Sequence, residues 1–343
     1  MALIKDRKDF VRGVSVIVEI DMGIQALAFP SVKLHKTKTI EYDVAVIEGT
    51  TVAYNSFAKT SNTTIKDGKS IVTISAVNLN DSISKDAIEA DAIKFGQNEY
   101  GEGEIDAETE SALNGVGRLR LNHLATSKAI IYESITTHQI KDGYETVNGL
   151  QDIVFAVPSS NKIVFDGSTE GQKYWSSSTD SKPFDNIVAG YNQMRVKPSF
   201  AIMNDVTFGR MVASAQIVGT QFNQSKPQNW YLNTDINPTA QFYRGGRMVH
   251  NGVVLDIYVE RQRKADGNPY MPTEYVVLSS PIGEMNFGGI PIVDNGGIRN
   301  IVAEWDVQEV ITFNPPLHEL VVRTAPLPTL KNGEGYYSMR IES

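Results

Sequence analysis

Apolar and polar positions alternate over "TKTIEYDVAVIEGTTVAYNSF", residues 37–57, and again at Ile71, Thr73 and Ser75 against Val72, Ile74 and Ala76. Isoleucine, valine, threonine and aromatic residues in a period of two predict strands. Between the two runs lies the polar stretch "TSNTTIKDGK", so together they predict a long two-stranded excursion with its tip near residues 60–69. A lone ribbon of that kind buries too little apolar surface to offset its ordering entropy. Something outside the hairpin should cover it.

The period then changes. Leu113, Val116, Leu121, Leu124, Ile131 and Ile135 share one broad face at 3.6 residues per turn, which predicts one long helix over 108–138. The acidic run "GEGEIDAETE" before it suits the positive end of a helix dipole, with Asp106 or Thr109 as cap. Gly115 and Gly117 are the weak points, where a bend is expected. Residues 1–35 carry mixed charge without sustained periodicity and are read as an extended or partly ordered arm, with a first core helix or strand as the alternative.

After Gly143 the strand-like pattern returns, and the turn-rich "DGSTEGQKYWSSSTDSKPF" marks the best boundary. Beyond it, "PFDNIVAGYNQM" predicts a helix, "PSFAIMN" a buried strand, and "DVTFGRMVASAQ" a helix capped by Asn204 or Asp205. "VVLDIYVERQ" and "YVVLSS" predict strands around a turn at "KADGNPYMP". Helices alternating with strands here imply a compact α+β unit. The chain closes on "HELVVRTAPLPTL", where Pro326 and Pro328 turn a corner between two strand-like pieces.

A length of 343 residues favours about two domains. Cysteine is absent, which removes disulfides, thiolate zinc sites and a thiol nucleophile and fits a reducing cytoplasm. The net charge of −8 argues against a sequence-independent grip on phosphates. Neither a signal peptide nor a membrane anchor is read at the amino end, because Glu19 and Asp21 interrupt its apolar run.

Catalytic chemistry finds little support. His35, His123, His138, His250 and His318 show no metal-ligand spacing. Gly68-Lys69-Ser70 ends like a phosphate loop, but Thr63 occupies the position of the required glycine and a strand follows instead of a helix. "GGIPIVDNGG" lacks a dinucleotide pattern and reads as a loop and strand with tight turns. Glu102, Glu104, Asp106 and Glu108 read as a solvated acidic turn. Arg195, Lys197, Arg261, Arg263 and Lys264 form short basic clusters with no aromatic ladder. No cofactor, metal or catalytic residue is assigned.

The order of elements resembles the lambda-type major capsid protein family of tailed bacteriophages. "LVVRTAPLPTL" followed by "NGEGYYSMRI" is similar to that family's closing strand, Ser/Thr-Ala-Pro-Leu turn and last strand. "GVVLDIYVERQRKADGNPYMPTEYVVLSS" is similar to its strand, polar turn, Leu/Met-Pro and strand with a Val-Leu pair. The local likeness is confined mainly to residues 195–343. The resemblance implies the α+β Hong Kong 97-type phage capsid fold, with an N-terminal arm (1–35) and a peripheral domain (36–182) carrying an extended loop (48–80) and a spine helix (108–138). An inserted axial domain (183–316) and return strands of the peripheral domain (317–343) complete it.

The same resemblance implies pentamers and hexamers of this chain in an icosahedral shell around double-stranded DNA, assembled in a host cytoplasm. Its partners would be a scaffolding protein or domain, a portal and a decoration protein, with no membrane. Expected assembly contacts are Lys5, Arg7 and Arg12 in the arm and Lys66, Asp67, Gly68, Lys69 and Ser70 at the loop tip. The proline corner at Pro326 and Pro328 would aim the last strand back beside the long helix. Some relatives crosslink a loop lysine to a neighbour's asparagine. Lys59, Lys66 and Lys69 lie in the loop, but no motif marks the partner groups, which favours reinforcement by a decoration protein. The rivals are a cellular compartment shell of the same fold and a mixed α/β hydrolase or binding protein.

Overall fold

In a computed structural model of the chain, residues 20–45, 69–86, 88, 107–146, 149–221, 230–232, 239–294, 297–313 and 316–342 are described. Helix α1 (Gly23–Ala28) leads into strands β1 (Ser31–Leu34), β2 (Thr39–Ala45), β3 (Lys69–Ser75) and β4 (Leu79–Ser84). Helix α2 (Ala107–Thr137) follows, then β5 (Gln139–Thr146), β6 (Gly149–Val154), β7 (Lys162–Val164) and helix α3 (Pro183–Gln193). Next come β8 (Phe200–Asn204), α4 (Asp205–Ala213), α5 (Ala215–Gln221), β9 (Trp230–Leu232), β10 (Phe242–His250), β11 (Val253–Glu260) and β12 (Tyr275–Ser279). The chain ends with β13 (Glu284–Phe287), β14 (Ile290–Asp294), β15 (Gly297–Ile301), β16 (Trp305–Phe313), β17 (Pro316–Thr324), β18 (Pro326–Thr329) and β19 (Tyr336–Arg340).

The largest sheet has seven strands in the order β7-β19-β12-β8-β11-β10-β9. Its centre is β8, whose five residues are all buried, as expected of a continuous apolar run covered on both faces. Alternation decides which core each side chain enters. Phe200, Ile202, Val277 and Tyr336 join one cluster with Ile131, Tyr132 and Ile135 of α2. Ala201, Met203, Val276, Leu278, Tyr337 and Met339 join the other with Phe184, Ile187 and Met211 of α3 and α4. Asn251 and Gly252, both at positive φ, close the β10–β11 hairpin, where an Asn-Gly pair adopts the left-handed turn at little cost.

Helix α2 is unbroken from Ala107 to Thr137 and passes through the expected bend. A Cβ on Gly115 would lie 2.7 Å from Ile83 Cδ1 of β4, so this glycine permits close helix–sheet packing. The amino-terminal half packs Ala112 and Val116 on Trp305, Val307, Leu320 and Val322 of the β16-β17-β4 sheet. The carboxyl-terminal half enters the main core. Of the expected face, Val116, Ile131 and Ile135 are fully buried, whereas Leu121 is exposed. The buried surface instead includes Ser127, Lys128, Ser134 and Thr136. Ser127, Ser134 and Thr136 bond back to helix carbonyls, which lets polar residues face the core and blurs the apolar period.

The helix predicted over "DVTFGRMVASAQ" divides at buried Ser214, whose hydroxyl donates to Met211 O at 2.7 Å. Strand β17 ends at Thr324, and β18, which begins at Pro326 and contains Pro328, belongs to a different sheet, so the chain changes sheets at Ala325. The last strand, β19, lies between β12 and β7 in the large sheet. That sheet takes β7 from before residue 183 and β19 from after residue 316, so strand pairing crosses the boundaries expected from sequence.

Candidate assembly elements

The predicted excursion is an antiparallel pair, β2 on β3, with Thr39 opposite Ser75 and Ala45 opposite Lys69. Four backbone segments converge at its base. Ala76 N donates to Lys38 O at 3.0 Å, Val77 N to Pro326 O at 3.3 Å, Gly288 N to Ala325 O at 2.8 Å and Gly289 N to Thr37 O at 2.9 Å. A Cβ on Gly288 would stand 2.8 Å from Ala76 Cβ. The pair Gly288-Gly289, expected to form a tight turn, is thus small so that backbones can cross.

Pro326 and Pro328 sit in this junction. β18 is an edge of the β1-β13-β18 sheet, with Pro326 opposite Phe287 and Pro328 opposite Met285. Ala325 O accepts from Gly288 N on the β13 side, while Pro326 O faces Val77. Successive residues of an antiparallel strand present their backbone groups to opposite sides. Both prolines therefore direct their missing N–H away from β13, which is where an edge strand tolerates them.

A buried polar network joins α2 to the large sheet. Lys128 Nζ lies 2.8 Å from Glu260 Oε2, and both side chains are fully buried. Lys128 Nζ also donates to Gln262 Oε1 at 2.6 Å and to Asp21 O at 2.8 Å. Tyr132 OH donates to Glu260 Oε2 at 2.6 Å, and Gln262 N to Glu260 Oε1 at 2.8 Å. Burial holds the Glu260 carboxyl above its usual range despite the adjacent ammonium and raises the Tyr132 phenol well above its own.

A second network surrounds buried Glu284, which pairs with Lys33 at 3.1 Å and with Lys331. His35 Nε2 bonds Asn286 Oδ1 at 2.7 Å, and Asn286 Nδ2 donates to Thr329 Oγ1 at 2.9 Å. The β1-β13-β18 sheet is thereby stitched across all three strands. Neither network was legible in the sequence. Their members are far apart along the chain, and a lysine on a helix ordinarily reads as solvent-facing.

Among the described residues no group of three or more His, Asp or Glu could hold a metal, and no helix is long and apolar enough to cross a membrane. His250 pairs with Asp185 at 2.8 Å and His318 with Glu309 at 2.5 Å. These two histidines thus serve separate local contacts.

No family model matches the chain, and no curated protein sequence does. Solved structures do. The chain is similar to a protein assigned as a capsid protein of an E. coli CFT073 prophage, at 13% identity and a TM-score of 0.65 over 98% of this chain and 99% of that one. The Hong Kong 97-type capsid fold is the fold of this chain. The capsid of a native GTA particle matches at 11% identity and TM-score 0.51, over 95% of this chain and 92% of that one. A phage-related protein of Bordetella bronchiseptica RB50 matches at 12% identity and TM-score 0.50, over 98% of each chain. At such identities the likeness is one of fold.

Within the capsid fold, Lys69 and Ser70 open β3 opposite Ala45 and Val44, at the end of the hairpin that faces away from the junction. Lys66, Asp67 and Gly68 lie outside the described residues, as do Lys5, Arg7 and Arg12. Pro326 and Pro328 are brought to the hairpin base. Sequence reasoning missed Gly288 and Gly289 as backbone-crossing positions, although paired glycines outside a nucleotide pattern are a signal for close approach.

Proposed function

We propose that this chain is a structural subunit of a phage or prophage head, self-assembling into pentamers and hexamers of an icosahedral shell around double-stranded DNA. The observation that carries the reading is the near end-to-end match of the capsid fold to the prophage structure, 98% of this chain on 99% of that one. Helix α2 and the small sheets form the peripheral part, and the seven-stranded sheet with α3 to α5 forms the axial part. The β2–β3 hairpin supports this reading, because a two-stranded ribbon needs cover from outside itself and a neighbouring subunit provides it. Many modest contacts closed by symmetry then stabilise the shell by mass action.

The role is non-enzymatic. Residues around 66–70 and the arm residues Lys5, Arg7 and Arg12 make the intersubunit contacts. A scaffold, a portal and a decoration protein are the further partners, with assembly in the host cytoplasm. Sedimentation velocity of the concentrated protein tests the reading. Shell-sized or capsomer-sized species are expected, and a strict monomer that a small molecule strongly stabilises against heat would contradict it.

A further inference from the structure

We infer that Lys128 is a buried positioning residue that clamps the carboxyl-terminal part of the expected arm, Asp21–Phe29, onto α2 and the large sheet, fixing from inside the core the direction in which the rest of the arm departs. The role in directing the arm rests on the shell-subunit reading; the clamp itself does not.

An ammonium has three donors, and those of Lys128 meet acceptors from three places: Asp21 O, Gln262 Oε1 and Glu260 Oε2. The ring of Tyr270 lies 5.2 Å from Nζ. Asp21 is itself a junction. Its Oδ1 accepts from Gly23 N and its Oδ2 from Phe242 N, each at 2.9 Å. One end of the segment is thereby tied to α2, to β10 and to the chain leaving β11. At the other end Gly283 N donates to Ala28 O at 3.0 Å, and Ile24, Ala28 and Phe29 are fully buried.

Helix α1 has only six residues and no side-chain cap, so it depends on these outside contacts for its place. Apolar docking alone would hold Ile24 and Phe29 without dictating an orientation, because hydrophobic contact is not directional. A buried ammonium has the opposite character. It adds little net stability relative to a well-packed apolar residue, but it tolerates only the arrangement that satisfies every donor.

The experiment is hydrogen–deuterium exchange on the full-length free subunit, comparing Lys128→Met/Glu260→Gln with the parent. Removing both charges avoids stranding one of them. The clamp predicts that residues 20–30 exchange roughly tenfold faster while β8 and β12 keep their protection, since local opening is set by local contacts. Unchanged protection at 20–30, or an equal loss across the whole core, would overturn it. Lys128→Gln/Glu260→Gln, a neutral pair whose shorter side chain at 128 no longer reaches all three acceptors, serves if the first double variant does not fold, and carries the same two expectations. Shells assembled from the loosened variant should be misshapen or fail to close. Normal closure would overturn the directing role, whereas failure of the parent protein to assemble would count against the shell reading and leave the exchange result standing.

Discussion

Pro328 lies opposite Met285 in the β13–β18 ladder, and Leu327, between the two prolines, lies opposite Asn286. The neighbouring Ala325 O bonds Gly288 N, so in β18 the odd-numbered residues face β13. Leu327→Pro should therefore cost about 3 kcal/mol or more by removing a ladder hydrogen bond in a fully buried strand. Pro328→Ala should stay within about 1 kcal/mol, since its nitrogen serves no ladder bond. Chemical denaturation of the two variants checks the contrast, and equal losses would show that the register is wrong.

Gly289→Ala should destabilise the junction by about 2 kcal/mol or more. The added Cβ would come within 3.0 Å of the Lys36 backbone carbonyl group, and a backbone obstacle cannot rotate away as a side chain can. Thermal melting checks the loss. A variant as stable as the parent would mean that the crossing of Lys36–Thr37 over Gly288-Gly289 is looser than the geometry shows.

Much of this architecture was legible in the pattern of the chain. The long helix, the β2–β3 pair, the buried strand β8 and the helix over Pro183–Gln193 all follow from periodicity and turn residues. The Asn204 cap was also legible, its side chain accepting from Val206 N at 2.9 Å. What periodicity could not reveal are features made by contacts between distant segments. The prolines mark the change of sheet after Thr324, but that they would themselves form a strand was not legible, since at an edge their missing N–H is harmless. The partnership of Lys128 with Glu260 was not legible because nothing local announces Glu260, which is 132 residues further on. The last strand's place beside β7 depends on long-range pairing.

Acid should weaken the subunit through two buried histidines. His138 is pushed down to about 4 by burial and then by Lys162, and His123 to about 4 by burial and then by Arg120. The unfolded chain binds a proton near pH 6.5, whereas the folded one stays neutral until about pH 4. Stability is then complete above about 6.5 and falls as the pH drops toward 4, by an order of about 3 kcal/mol at most per ring. His138→Asn should flatten this decline, since asparagine accepts the positive φ of 59° at that position without titrating. Melting temperatures from about pH 7 to about pH 4.5 test the sign, and an undiminished slope in the variant would exclude His138 as a cause.

Deleting residues 60–69 should leave a soluble subunit with an intact core, because the hairpin base is held by the junction of Lys38, Ala76, Gly288 and Ala325 and not by its far end. Circular dichroism should show native secondary structure, while shells fail to close. Normal shells from the deletion would remove the loop tip from the assembly contacts.

Electron microscopy of the protein expressed at high concentration, alone and together with its scaffold, tests the central claim most directly. Closed shells with icosahedral outlines, built from five- and six-membered rings, are the predicted result. Dispersed monomers under both conditions, with the fold intact by circular dichroism, would contradict it.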